Sequence, residues 1–165
     1  MTWNSLPPIV LVDTSVLCEI LAVPNRSSAP AHHRQQLQDY AEQGATLMLP
    51  MATLIETGNH IAQNGNTAER EVVARNFVKL VQQALRSEKP FGVASYPKPE
   101  TVQRWLDVFP EYASRTERKK KGIGLGDVSI LDDYREQCAL NRQRVVRIWA
   151  LDHALVRESR PEERR

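Results

Sequence analysis

Two apolar runs rich in β-branched residues, Ile9-Val10-Leu11-Val12 and Val145-Val146-Arg147-Ile148-Trp149-Ala150-Leu151, constrain the fold of this chain more than any other feature. Neither shows strict alternation of apolar and polar positions. That is the pattern of strands covered on both faces, as in a parallel sheet flanked by helices. Each run is closed by an aspartate, Asp13 and Asp152. In open α/β sheets ligands bind beyond the carboxyl ends of the strands, so both acids are expected at one rim.

Helical patterns lie between the runs. Thr14 or Ser15 can cap a short helix carrying Val16, Leu17, Ile20 and Leu21. A Pro/Asn/Ser-rich loop, Pro24 to Pro30, leads into a polar helix, Ala31 to Gln43, stopped by Gly44. Thr46 to Leu49 reads as a second buried strand and Met51 to Gln63 as a helix ended by the turn Asn64-Gly65-Asn66. Thr67 to about Arg86 has the helical apolar stripe Val72, Val73, Phe77, Leu80, Val81 and Leu85. Phe91 to Ser95 is a short strand candidate, and Thr101 to Phe109 a helix with Val102, Trp105, Leu106 and Phe109 facing the core. After the connector Lys119 to Gly126, Asp127 begins a helix running to about Leu140. Strands alternating with helices predict an α/β domain with a mostly parallel sheet. The 165 residues form one domain, with a core over about 9–157 and peripheral ends at 1–8 and 158–165.

Two further acids stand in unusual places. Glu56 interrupts an apolar helix pattern, and Asp127 follows the glycine-rich segment Gly122-Ile123-Gly124-Leu125-Gly126. Each acid also has a plain structural use: Asp13 as a helix cap, Asp127 as an N-terminal acid complementing a helix dipole, Asp152 as a turn residue. Together they point to a site. Two like charges about 4 Å apart repel by roughly 4 kcal/mol at an effective dielectric of about 20, so converging carboxylates need protons or a divalent cation. Oxygen ligands without Cys or His at metal-ligand spacing select Mg²⁺ or Mn²⁺ over Zn²⁺, and the chemistry expected of such a site is phosphoryl transfer or phosphodiester hydrolysis. Asp132 and Asp133, further along the same helix, are expected to face solvent, and His60, although it shares a face with Glu56, is left outside the site.

Composition narrows the partners. With 41% hydrophobic and 25% charged residues and no apolar stretch near 20 residues, the chain is expected to be soluble and not membrane-inserted. The opening residues lack the basic and apolar regions of a secretory signal, which implies a cytoplasmic protein. Cys18 and Cys138 are read as buried free thiols. A net charge of +2 does not by itself indicate a nucleic-acid binder, but Arg115, Arg118, Lys119, Lys120 and Lys121 cluster before Asp127, opposed only by Glu117. Arg118 to Lys121 are candidates for holding a phosphate backbone near the acids, and a solvated loop is the competing reading.

The segments Ile9-Val10-Leu11-Val12-Asp13-Thr14-Ser15-Val16-Leu17, Leu54-Ile55-Glu56, Gly124-Leu125-Gly126-Asp127-Val128-Ser129-Ile130-Leu131 and Ile148-Trp149-Ala150-Leu151-Asp152 resemble, in order and context, the PIN-domain nucleases, and within them the VapC-like ribonuclease toxins. The resemblance spans about residues 9–157. It implies a three-layer αβα sandwich whose acidic pocket binds Mg²⁺ or Mn²⁺ and hydrolyses RNA phosphodiesters. In it Asp13 and Asp127 would be the main metal ligands, with Glu56 and Asp152 completing the catalytic pocket and Ser15 supporting it. It also implies an antitoxin partner and a homodimer. Two departures stand out: Ala150 occupies the place, two before the last acid, where family members often carry Thr or Ser, and the stretch from Glu56 to Asp127 is long. The alternatives are a PIN nuclease outside toxin–antitoxin pairs, a catalytically inactive PIN-like binding module, and a haloacid-dehalogenase-like phosphatase. The last needs an aspartate where Ser15 stands.

Overall fold

In a computed structural model, which describes residues 6–115 and 121–159, four parallel strands form one sheet in the order β3-β2-β1-β4. The strands are β1 (Leu6–Val12), β2 (Thr46–Leu49), β3 (Phe91–Val93) and β4 (Arg144–Trp149). Successive side chains of β1 point to opposite faces, and both faces are covered, as the unbroken apolar run requires. Val10 and Val12 pack with Leu47 and Leu49 under α1 (Thr14–Leu21), α2 (Pro30–Glu42), α3 (Met51–Gln63) and α4 (Thr67–Leu85). Ile9 and Leu11 pack with Ile148 under α5 (Pro99–Ser114), α6 (Leu125–Leu140) and α7 (His153–Glu158). The architecture is a three-layer αβα sandwich.

Several boundaries differ from the sequence expectation. β1 begins at Leu6, so its entry runs through Pro7 and Pro8, neither of which has an N–H to donate to a ladder. The register with β4 shifts between Leu6 and Ile9, and the Arg144 guanidinium fills the gap, donating to the carbonyls of Pro7 (2.7 Å) and Pro8 (3.3 Å) and to Thr46 Oγ1 (3.0 Å). β3 is only Phe91–Val93, and β4 starts at Arg144 and ends at Trp149, before Ala150 and Leu151. α5 continues through Pro110 to Ser114 instead of stopping at Phe109. The lost N–H of the proline is outweighed by packing: Phe109 on one side and buried Tyr112 on the other join the second core. The stripe assigned to α4 is partly wrong, since Val72 and Leu85 are exposed, as is Leu106 of α5.

Asp132 and Asp133 do not face open solvent. α6 is flanked by α5, β4 and α7, so turning away from Asp127 does not mean turning to water. Asp132 accepts hydrogen bonds from Arg104 Nη2 (2.9 Å) and Trp105 Nε1 (3.0 Å). Burial, with Asp132 and Glu136 nearby, pushes the Asp133 carboxyl up to about 7. Of the two cysteines, Cys18 is buried and Cys138 only half-buried. Among the described residues no helix is long and apolar enough to cross a membrane.

Candidate active site

β1 and β4 are neighbours, but the helices that follow them, α1 and α7, pack on opposite faces of the sheet. This opens a crevice at their carboxyl ends, the place where such sheets bind ligands. Asp13, Thr14, Ser15, Cys18, Arg26, Glu56, His60, Asp127, Leu151 and Asp152 line a cavity of about 300 Å³ there. The four acids picked from sequence therefore meet in one cleft, contributed by the ends of β1 and β4, by α3 and by the first turn of α6.

Each acid is held by local structure. Of the three cap candidates, Asp13, Thr14 and Ser15, it is Asp13 that caps α1: its side chain accepts from the Ser15 N–H at 3.0 Å, and its backbone is extended at φ −78° and ψ 160°. The Ser15 hydroxyl donates to the same oxygen, Asp13 Oδ2, at 2.6 Å and accepts from the Leu151 N–H at 3.0 Å. The hydroxyl that ties the first strand end to the last comes from α1. Asp13 N–H also donates to the Trp149 carbonyl at 3.0 Å, extending the β1–β4 ladder to the cleft floor.

α3 is docked against β1 by fully buried Thr53, whose Oγ1 donates to the Val12 carbonyl at 2.8 Å. One turn further on, Thr14 Oγ1 donates to Glu56 Oε2 at 2.9 Å. The other carboxylate oxygen, Oε1, abuts Gly126, where any Cβ would collide with it. Gly126 thus lets Glu56 approach the amino end of α6, whose first turn also carries Asp127. Asp152 is exposed and immediately precedes α7. The amino ends of α1, α6 and α7 all carry one of the acids, so helix dipoles offset part of the accumulated negative charge. Part remains: burial, then Asp13, Glu56 and Asp152, push the Asp127 carboxyl up to about 6.

The donor set fits a hard divalent cation: oxygen ligands, excess negative charge, and a cleft open enough for water. Among the described residues, no three His, Cys, Asp or Glu side chains already stand close enough to enclose an ion. An ion held directly by one or two carboxylates, with waters completing its shell, matches the habit of Mg²⁺.

Five lining residues were not assigned to the site from sequence: Thr14, Cys18, Arg26, His60 and Leu151. His60, one turn after Glu56 on α3, has its Nδ1 buried without a hydrogen-bond partner among the described residues. Burial, then Arg26, hold its pKa below the ordinary histidine value, against the pull of Glu56. Its spacing from Glu56 was the available signal. Cys18 is raised to about 11, chiefly by burial. Arg26 lies in the loop after α1, and no local pattern distinguishes it. Of the basic cluster, Arg118, Lys119 and Lys120 fall outside the described residues, and Lys121 is exposed and does not line the cleft. Arg115 is occupied, pairing with Glu111 at 2.8 Å and Glu158 at 3.0 Å and lying over the Tyr112 ring. Comparison with protein-family models and with curated proteins gives no match to this chain.

Proposed function

We propose that this chain is a divalent-metal-dependent endoribonuclease of the PIN type, acting in a toxin–antitoxin pair. The observation that carries the reading is the meeting of Asp13, Glu56, Asp127 and Asp152 in one cleft at the β1/β4 crevice, with Asp127 raised to about 6 by burial and the other three acids. Acids brought together against their own repulsion are compensated by a cation. When bound there, Mg²⁺ or Mn²⁺ would lower the pKa of a water and neutralise charge developing on the phosphate.

The chain's own residues then have separable roles. Asp13 and Asp127 would hold the ion, with Glu56 and Asp152 directly or through water. Ser15 fixes Asp13 and, through the Leu151 N–H, the approach to Asp152. Thr14 orients Glu56. With the attacking group drawn from water, no covalent bond to the protein forms.

Titrating the protein with Mn²⁺ in a calorimeter tests the reading at its base. Wild type is expected to release binding heat that Asp13→Asn and Asp127→Asn lose. No heat with wild type, or equal heat with the variants, would remove it.

A further inference from the structure

The cleft has two electrically different ends. One holds the four acids. The other, one turn further along both α1 and α3, holds Cys18, His60 and Arg26, and about 5.4 Å separates successive turns along a helix. The Arg26 guanidinium acts on Cys18 and His60, whereas the charges raising Asp127 are Asp13, Glu56 and Asp152. Among the described residues Arg26 is the only lysine or arginine lining this cavity, and its side chain makes no hydrogen bond or ion pair with any of them.

Arg26 is exposed, so its guanidinium stays hydrated and available to a ligand, while the loop that carries it is firmly held. Glu19 of α1, only 3% exposed, accepts from the Ser28 N–H at 3.0 Å, the Ser28 hydroxyl at 3.2 Å and the Ala29 N–H at 2.9 Å. Burial alone would raise its carboxyl, but these bonds, with His33 3.7 Å away, bring it below the ordinary value. The Arg26 N–H and the Ser27 hydroxyl both close onto the Val23 carbonyl at 3.0 Å, and Asn25 takes a left-handed φ of 59°. Pro24 packs so closely on Gly65 of the α3–α4 turn that a Cβ at Gly65 would strike it. A buried carboxylate and a left-handed turn therefore present one unpaired guanidinium to the cleft.

We infer that Arg26 is a phosphate-binding residue that grips the backbone phosphate next to the one addressed by the acid cluster, with the His60 imidazole beside it at the same end. The guanidinium is planar, permanently charged and suited to two-pronged contact with phosphate oxygens. The acid end takes a cation, which draws in the scissile phosphate; the basic end takes the neighbouring phosphate directly. This rests on the nuclease reading, and it makes a continuous single strand, not a lone phosphodiester, the substrate that fills the cleft.

The test is binding of a fluorescently labelled ten-nucleotide oligouridylate, measured by anisotropy in EDTA over a range of salt, for wild type, Arg26→Gln, Arg26→Lys and Arg142→Gln. Arg142 lies in the turn before β4, at the opposite rim, and serves as the control. Arg26→Gln is expected to weaken binding about tenfold at low salt and to reduce the log–log salt slope by about 0.7, the release expected from one phosphate of a single strand. Arg26→Lys keeps most of the slope, and Arg142→Gln leaves it unchanged. With Mn²⁺ present, the loss in RNA cleavage by Arg26→Gln should fall on KM more than on kcat. A slope unchanged in Arg26→Gln, or lowered equally by Arg142→Gln, overturns the phosphate site while leaving the acid cluster's cation binding intact. No binding by wild type in EDTA also overturns the phosphate site, whereas the nuclease reading stands or falls separately on the Mn²⁺ titration.

Discussion

Replacing Ser15 by alanine removes two hydrogen bonds without disturbing the cap itself. The hydroxyl's bond to Asp13 Oδ2 (2.6 Å) and the Leu151 N–H bond to the hydroxyl (3.0 Å) are lost, while the Ser15 N–H still donates to Asp13 at 3.0 Å. Asp13 is 7% exposed, so water replaces the first bond poorly. A hydrogen bond to a carboxylate contributes about 1.5–3 kcal/mol. Leu151 is exposed, so its freed N–H can be rehydrated and its bond contributes less, about 0.5 kcal/mol. The expected loss is roughly 2–3 kcal/mol, a fall in Tm of roughly 5–10 °C for a domain of this size. Urea unfolding at pH 7 in EDTA measures it. Ser27→Ala provides the comparison, because Ser27 Oγ donates only to the neutral Val23 carbonyl at 3.0 Å and should contribute about 1 kcal/mol or less. Metal-dependent cleavage should fall in Ser15→Ala as well, since Leu151 and Asp152 are no longer tied to Asp13. If Ser15→Ala costs no more stability than Ser27→Ala, the bridging role given to this hydroxyl is wrong.

Asp127→Asn should abolish cleavage yet stabilise the metal-free protein by about 1–2 kcal/mol at pH 7, after discounting for solvent screening of a half-buried group. The folded-state pKa of about 6 lies above the ordinary 3.8, so the penalty is absent at pH 3.5, grows as pH rises through that window and is complete above it; unfolding curves at the two pH values read it directly. Asp133→Asn should show the same sign over about pH 4–7 with cleavage retained, because Asp133 lies outside the cleft; a stability difference independent of pH would contradict the burial assigned to it. Gly126→Ala should displace the Glu56 carboxylate and lower cleavage at least tenfold, while Gly124→Ala, with open space at its Cβ, should not; equal cleavage by both would show that the close approach is dispensable.

The layered α/β fold and the meeting of Asp13 and Asp127 were legible from local patterns, an unbroken apolar run ending in Asp13 and a glycine-rich turn leading into the helix of Asp127, whereas the places of Glu56 and Asp152 leaned partly on the resemblance. β2 and α3 match their expected ranges, Thr46–Leu49 and Met51–Gln63, because strand propensity and a clear stop signal agree there. What was not legible depends on tertiary contacts. Pro110 normally signals a helix end, and only Tyr112 packing on the second core carries α5 past it. Asp133 looks like a solvent-facing acid until α6 is seen flanked by other elements. Glu19 looks like an ordinary surface acid on α1 until the loop through Ser28 and Ala29 folds over it. Arg26 follows from Glu19 in turn, since the loop's conformation, not its composition, brings the guanidinium to the cleft.

The central claim is that the four acids form a cation-dependent catalytic site for RNA. Incubating purified wild type and Asp127→Asn with a panel of structured and unstructured RNAs, in Mg²⁺, Mn²⁺ or EDTA, tests it most directly. The account predicts cleavage by wild type with either metal, none in EDTA, and none by Asp127→Asn under any condition. Equal cleavage by wild type and variant, or cleavage that persists in EDTA, would contradict it.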